Sequence, residues 1–306
     1  MSRPKNQHWV PRFYLRYFAT PETYSTDEPQ VWIFSKDEKD GDESITNIKN
    51  ICAKRFLYSP KDHTGQRNWD LETKLEGVES LLSEIWGQLS DDFVDLSNPA
   101  IRKALSLFIA VMHLRNPSSL LEVKNTHKQL VGLYNQMPKH PDGTPDIKSI
   151  EMNGELFDVD VSGWHEYQAW GANDYQRFFV DQVEYQATFL AEILMKKRWS
   201  IVLTESNQFI TTDNPLFIQH QKKKRFGFGT EGTLITFPLS QRRLLVMDDR
   251  QNEPANQYYP LKPGALGAFN YGIWRNARRF MISGRPIPEI LSEIVSWSDA
   301  FEAKNE

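Results

Sequence analysis

His8 lies in Asn6-Gln7-His8-Trp9-Val10-Pro11, a short stretch stiffened by its neighbours. Histidine is the side chain whose ordinary pKa lies nearest neutral pH, so His8 is a candidate general base or metal ligand. The other reading is a ring hydrogen-bonded to backbone at a chain turn. Asp213-Asn214-Pro215 follows a strand-like run, and a carboxylate at a strand end beside a proline-fixed turn either points into a cleft or closes an Asx turn. Glu72, Glu76 and Glu79 fall at i, i+4 and i+7, on one helical stripe. Such runs are commonly solvated faces. Glu79, however, stands between Val78 and Leu81-Leu82, near the apolar side, where a carboxylate needs a partner. Arg115, after a strongly apolar helix, is the natural cation for it, either as a structural ion pair or as a clamp for phosphate or carboxylate.

Lys222-Lys223-Lys224-Arg225 joins directly to Phe226-Gly227-Phe228-Gly229. A basic run beside aromatics and glycines can grip a phosphate backbone and stack bases, or be a solvated connection. Two function classes follow. In the first, His8, Glu79, Arg115, Asp213 and Asn214 converge on one cleft that cleaves a phosphodiester, in nucleic acid. His8 then serves as base or ligand, Asp213 and Glu79 as metal ligands or orienting carboxylates, and Arg115 as the clamp on phosphate charge. Arg12, Arg16, Lys222, Lys223, Lys224, Arg225 and Asn270 are the candidate substrate contacts. The spacing fixes no metal set; a divalent cation such as Mg²⁺ or Mn²⁺ is the candidate cofactor. A toxin or antiviral-defence effector is the setting such an activity suggests. In the second class the aromatic cleft is a non-catalytic ligand-binding or protein-interaction module, and the His8 and Asp213 motifs bond each other to pin the N-terminus. A protein partner or a homo-oligomer is compatible with either class.

The elements that must position these residues are legible as periods. Pro11 suits a first helical position, and Phe13, Tyr14, Tyr17 and Phe18 recur at helical spacing, with Arg12 and Arg16 one turn apart on another face. Strands are expected over 30–35, 45–51 and 56–59, with an acidic loop over 36–43. The period then turns helical: 69–89, with Leu71, Leu75, Val78, Leu82, Ile85 and Leu89 on one side; 99–114, capped by Asn98 and Pro99; 118–134; and 174–197. A Pro-, Gly- and Asp-rich loop over 137–146 is a candidate lid. Strands follow over 199–204, 207–212, 234–238 and 243–248, the first two joined by a turn at 205–208. A helix is expected over 263–278, exposing Arg275, Arg278 and Arg279, then a strand over 280–283 and a tail helix over 288–302. The fold class is α+β, a single domain over 1–306 in which a helical middle (69–197) packs on a mostly antiparallel sheet contributed by both ends of the chain (30–59 and 199–303).

The pattern His8-x-Val10-Pro11-x-x-Tyr14-Leu15-Arg16-x-Phe18 resembles the opening signature of a mainly bacterial family, domain of unknown function 4238. Leu71-Glu72 to Glu79, Phe108 to Arg115, Phe209 to Pro215, Phe237 to Ser240 and Asn270 resemble the rest of it in order. Thr212 stands where the family usually has Ser, which keeps the hydroxyl. The resemblance implies a shared fold and a shared pocket; no established reaction comes with it.

Composition narrows the field. The single cysteine, Cys52, rules out intramolecular disulfides and Cys-rich zinc sites, fits a cytoplasmic compartment, and reads as a small buried hydrophobe rather than a nucleophile. The seven histidines show no His-Glu-x-x-His spacing, and no P-loop, dinucleotide fingerprint or Gly-x-Ser-x-Gly elbow is present. A net charge of −4 argues against a general nucleic-acid coat but leaves room for a local basic cleft. The N-terminus lacks the apolar core of a signal peptide, and no apolar run is long enough to span a bilayer, so no membrane partner is expected.

Overall fold

Residues 3–36, 43–152 and 154–302 are described in the computed structural model; most of the expected acidic loop lies outside them. The chain opens with a short strand β1 (Asn6–His8), helix α1 (Arg12–Arg16), strands β2 (Gln30–Ser35), β3 (Glu43–Asn47) and β4 (Ala53–Arg55). Three long helices follow, α2 (Asp70–Asp91), α3 (Pro99–Leu114) and α4 (Pro117–Asn135), then the hairpin β5 (Ser149–Met152) and β6 (Glu155–Asp158). Helices α5 (Trp164–Gln168) and α6 (Ala172–Lys196) complete the helical middle. The last part supplies β7 (Arg198–Leu203), β8 (Thr211–Thr212), β9 (Phe217–His220), β10 (Thr233–Ser240), β11 (Arg243–Asp248), β12 (Gln257–Pro260), α7 (Leu266–Asn276), β13 (Phe280–Ser283) and α8 (Ile287–Glu302).

The strands form a five-stranded sheet in the order β12-β7-β11-β10-β9 and a four-stranded sheet in the order β3-β2-β13-β8. Strands from the two ends of the chain thus meet in the second sheet, as the α+β reading expects. All pairings in both are antiparallel except β12 with β7. No helix among the described residues is long and apolar enough to cross a membrane.

Apolar spacing explains where the core sits. On α2, Leu71, Leu75, Leu82, Trp86 and Leu89 are buried; on α3, Leu105, Phe108, Ile109, Val111 and Met112 are buried. Asn98 and Asn116 cap α3 and α4 by accepting from Ala100 N at 3.0 Å and Ser118 N at 2.9 Å. Helix α1 has only five residues, too few to be stable alone, so its aromatics must hold it. Tyr14 lies among Phe18, Trp86, Phe108 and Phe237, with ring centroids 5.2–6.4 Å away. Its hydroxyl bonds Thr211 Oγ1 at 2.7 Å and Pro238 O at 2.9 Å, which ties the first helix to both sheets.

Several expected elements differ. The second strand stops at Asn47, where a 3-10 turn (Ile48–Asn50) begins, and the third strand is Ala53–Arg55 rather than 56–59. Cys52 and Phe56 adopt left-handed backbone conformations, φ 53° and 55°, and so end the extended run on either side. This leaves β4 free to pair with the N-terminal β1, His8 opposite Ala53. Cys52 is buried, as read, and burial pushes its thiol up. The strand expected over 207–212 shrinks to two residues, and the turn at 205–208 is no hairpin, because β7 and β8 belong to different sheets. The loop over 137–146 closes on itself through a Lys139–Pro145 bridge. Helix α7 ends at Asn276, so Arg278 and Arg279 are not on its exposed face.

Candidate functional site

An open cavity of about 450 Å³ lies between the N-terminal segment and α2, lined by His8, Arg12, Glu72, Glu76, Glu79 and Arg115 among others. Each wall has a local cause. Pairing of β1 with β4, reinforced by Gln7, fixes His8: the Gln7 amide donates to Ser59 Oγ at 2.7 Å and accepts from Tyr58 N at 2.7 Å. Gln7 is buried, so the alternating strand turns His8 the other way, toward the cavity. Pro11 then starts α1, which brings Arg12 and Phe13 to the rim. The carboxylate stripe of α2 faces them because the opposite stripe of the helix is apolar and buried.

Arg115 forms the floor. It is 1 % exposed, with Nε donating to Trp9 O at 2.9 Å and Nη1 to Glu79 Oε1 at 2.6 Å. Among the described residues Nη2 has the Met112 sulfur at 3.7 Å, a weak acceptor, and no oxygen partner. Burial opposes the charge on Arg115, but Glu79, Tyr58 and Glu72 outweigh it and its pKa is raised.

Two groups titrate away from their ordinary ranges. Burial lowers the His8 pKa from 6.5 to about 4, partly opposed by a hydrogen bond with the Lys49 backbone and helped by the charges of Arg12 and Arg115. His8 is therefore neutral near pH 7, and its Nε2 is buried without a hydrogen-bond partner among the described residues. Burial also raises the Glu72 pKa from 4.5 to about 7, with Glu79 and Glu76 adding to the rise and Arg115 opposing it. An imidazole without its proton and a carboxyl retaining its own thus share one cavity, the arrangement that separates base from acid in proton-transfer chemistry. Among the described residues no three His, Cys, Asp or Glu side chains lie close enough together to hold a metal ion, so the carboxylate stripe does not form a ready cation site.

Asp213 and Asn214 do not line this cavity. The Asp213 carboxylate is buried and accepts from Arg278 N at 2.9 Å and Arg279 N at 3.0 Å, while its carbonyl accepts from Trp9 Nε1 at 3.0 Å and Asn116 Nδ2 at 2.8 Å. Burial raises its pKa against those two backbone bonds. Asn214 and Asn276 exchange side-chain bonds with each other's carbonyls at 3.1 and 2.9 Å. The Thr212 hydroxyl accepts from Asn214 N at 3.1 Å, a role that Ser could also fill. The motif is a staple joining β8, the segment after α7, and the N-terminus.

The remaining candidates scatter. Arg16 Nη1 donates to the carbonyls of Tyr24 and Thr26, at 2.9 and 3.0 Å, and closes a local turn. Asn270 is buried, and its amide bridges Ile210 N and Gln208 O at 3.3 and 3.1 Å, where the expected strand is broken. Lys222, Lys223, Lys224 and Arg225 are exposed between β9 and β10 and do not reach the His8 cavity. The structure therefore groups His8, Arg12, Glu79 and Arg115 and leaves the rest apart. Glu72 is not among the residues the sequence singles out; its place next to Leu71 and one turn before Leu75 is the signal that it sits close to the apolar side.

This is an α+β protein with a polar cavity built on its N-terminal segment. Residues 6–286 match the model of the family described as protein of unknown function (DUF4238), and the chain belongs to that family. No curated protein and no solved structure matches it.

Proposed function

We propose that the chain is an acid–base enzyme whose reaction centre is the His8 cavity, and that it cleaves phosphodiesters in RNA. The observation behind this reading is the neutral His8 ring, its Nε2 unpartnered, in one cavity with a Glu72 carboxyl that holds its proton to about pH 7. In RNA the nucleophile belongs to the substrate, so the protein has to supply a base, an acid and a cation. His8 Nε2 takes the proton of the ribose 2′-hydroxyl as its oxygen bonds to phosphorus. The bond from phosphorus to the 5′-oxygen breaks, Glu72 gives that oxygen its proton, and a 2′,3′-cyclic phosphate remains. Arg12 and Arg115, both in the cavity lining, would take up the phosphate charge. A divalent cation would draw on substrate oxygens as well as Glu76 or Glu79, since the described residues offer no close three-donor set. A cytoplasmic toxin or defence effector is the role that fits such an activity.

A non-catalytic reading has two observations in its favour, the engagement of Arg115 by Glu79 and the Trp9 carbonyl, and the bond from Trp9 Nε1 to the Asp213 carbonyl that ties the two motifs together. Purified protein incubated with labelled single-stranded RNA and DNA, with and without Mg²⁺ or Mn²⁺, separates the two. Cyclic-phosphate ends from RNA and none from DNA are expected, with a rate lower by about 10²-fold or more in His8→Ala. Nucleic acid bound but uncut under all conditions favours the module.

A further inference from the structure

A second cavity, of about 460 Å³, opens between α3, α4 and α6 and shares no lining residue with the first. Its volume lies in the range of small-molecule sites, about 300–1,000 Å³. Tyr167, Trp170 and Phe178 give it an aromatic side, and that side is fixed. The His127 ring lies parallel to Trp170, 5.5 Å between centroids and 5° between planes, and both His127 nitrogens are engaged, by Tyr175 Oη at 2.9 Å and Tyr167 O at 2.7 Å. Opposite in character are Gln182 and Gln186, one turn apart on α6; Gln186 Nε2 donates to Gln182 Oε1, which leaves the Gln182 amide N–H groups and the Gln186 carbonyl for the same space. His113 also lines it, and its Nδ1 is buried without a hydrogen-bond partner among the described residues.

The lining decides the charge of the occupant. It contains no Lys or Arg, and its one carboxylate, Glu122, is largely exposed and lies 3.4 Å from Arg278 Nη2. Neither an organic cation nor a deeply seated anion finds a counter-charge there. A neutral planar ring with a hydrogen-bonding edge suits both the aromatic face and the amides. Just outside, the Phe228 ring meets His113 edge-on at 4.9 Å, and Phe228 closely follows the exposed run Lys222–Arg225. The cationic run therefore belongs to the same loop as the ring that packs beside this neutral aromatic cavity, and a cationic stretch near a stacking surface is the pairing that grips a phosphate beside a base.

We propose that this cavity binds a nucleobase, stacked on the Trp170 side and read by Gln182 and Gln186, with its phosphate lying toward Lys222–Arg225. The site does not depend on the chemistry assigned to His8. Titration calorimetry of the full chain with the four ribonucleosides, their 5′-monophosphates, choline and a short single-stranded RNA tests it. At least one nucleoside binds, and its monophosphate binds tighter with a gain that salt removes and that a Lys222→Ala, Lys223→Ala, Lys224→Ala variant abolishes. Trp170→Ala weakens nucleoside binding about tenfold or more, while Trp170→Phe, which keeps a stacking ring, retains most of it. Should Trp170→Ala lose its fold, Gln182→Ala at a half-exposed position takes its place and weakens or re-ranks the bases. RNA that outbinds the monophosphate assigns the base to a polymer; equal binding assigns it to a free nucleotide, and either result upholds base recognition. No heat from any nucleoside at millimolar concentration, preference for choline, or unchanged binding in folded Trp170→Ala and Gln182→Ala overturns it. Nucleoside binding is also read on His8→Ala, so that failure of the catalytic reading and failure of this one give different results.

Discussion

The His8 strand and the Asp213 turn meet at Trp9, whose indole N–H reaches the Asp213 carbonyl while its own carbonyl accepts from Arg115. On one side of that residue a histidine nitrogen is buried and unpartnered; on the other a carboxylate has two backbone N–H donors. Unused hydrogen-bonding capacity at a cavity wall costs stability and persists where a ligand can satisfy it. Saturated capacity in the interior holds chain segments together. Both motifs stood out in the sequence for the same reason, polar groups in stiff surroundings, and the structure separates them by what their polar atoms already touch.

The contrast is broken most easily at Asp213. Asp213→Ala leaves two part-buried backbone donors without an acceptor and is expected to cost about 2–4 kcal/mol in denaturant unfolding. Asp213→Asn recovers part of that, and His8→Gln changes stability by less than about 1 kcal/mol. Equal losses at the two positions would erase the distinction. Trp9→Phe removes one donor to the Asp213 carbonyl but leaves Asn116, so about 1–2 kcal/mol is expected by the same measurement.

The pH dependence of stability sharpens the comparison inside the cavity. Between about pH 4 and 6.5 the unfolded chain holds more protons at His8 than the folded one, so this group makes stability rise with pH and is fully favourable above 6.5. Glu72 acts in reverse: from 4.5 to about 7 the folded chain holds the extra proton, and its contribution is lost as pH rises. The slopes oppose each other in the wild type. His8→Gln exposes the falling slope and Glu72→Gln the rising one, each about 1–2 kcal/mol over that window once solvent screening is allowed for. Parallel stability curves for both variants would mean that neither pKa is shifted. The smallest effect is at Thr212, where Ser changes stability by less than about 0.5 kcal/mol and Val, which removes the acceptor of Asn214 N, costs about 1 kcal/mol.

Much of the architecture was written in periods. The apolar stripe from Leu71 to Leu89, the capped α3 and the aromatic spacing of α1 all correspond to buried faces. The placing of Glu79 against Arg115 followed from one physical demand, that a carboxylate near an apolar face needs a cation. Three-residue strands were not legible, because β1 and β4 are defined by each other and by the left-handed turn at Cys52 rather than by any run of residues. Asp213 was illegible for a similar reason. Its donors are the backbone of Arg278 and Arg279, about 65 residues away, and backbone groups leave no trace in a side-chain pattern. Glu72 is half-buried where Glu76 is exposed, a difference whose one trace in the sequence is its place beside Leu71 and one turn before Leu75.

The most direct test is the initial rate of RNA cleavage across pH 4 to 8 for the wild type and His8→Gln, with the melting temperature of each. Neutral His8 and protonated Glu72 coexist between about 4 and about 7, so the wild type should show its activity plateau there. His8→Gln should lose about 10²-fold or more at an unchanged melting temperature. A folded His8→Gln protein that cleaves RNA as fast as the wild type, or a wild type that cleaves none at any pH, would contradict the assignment of the cavity as a reaction centre.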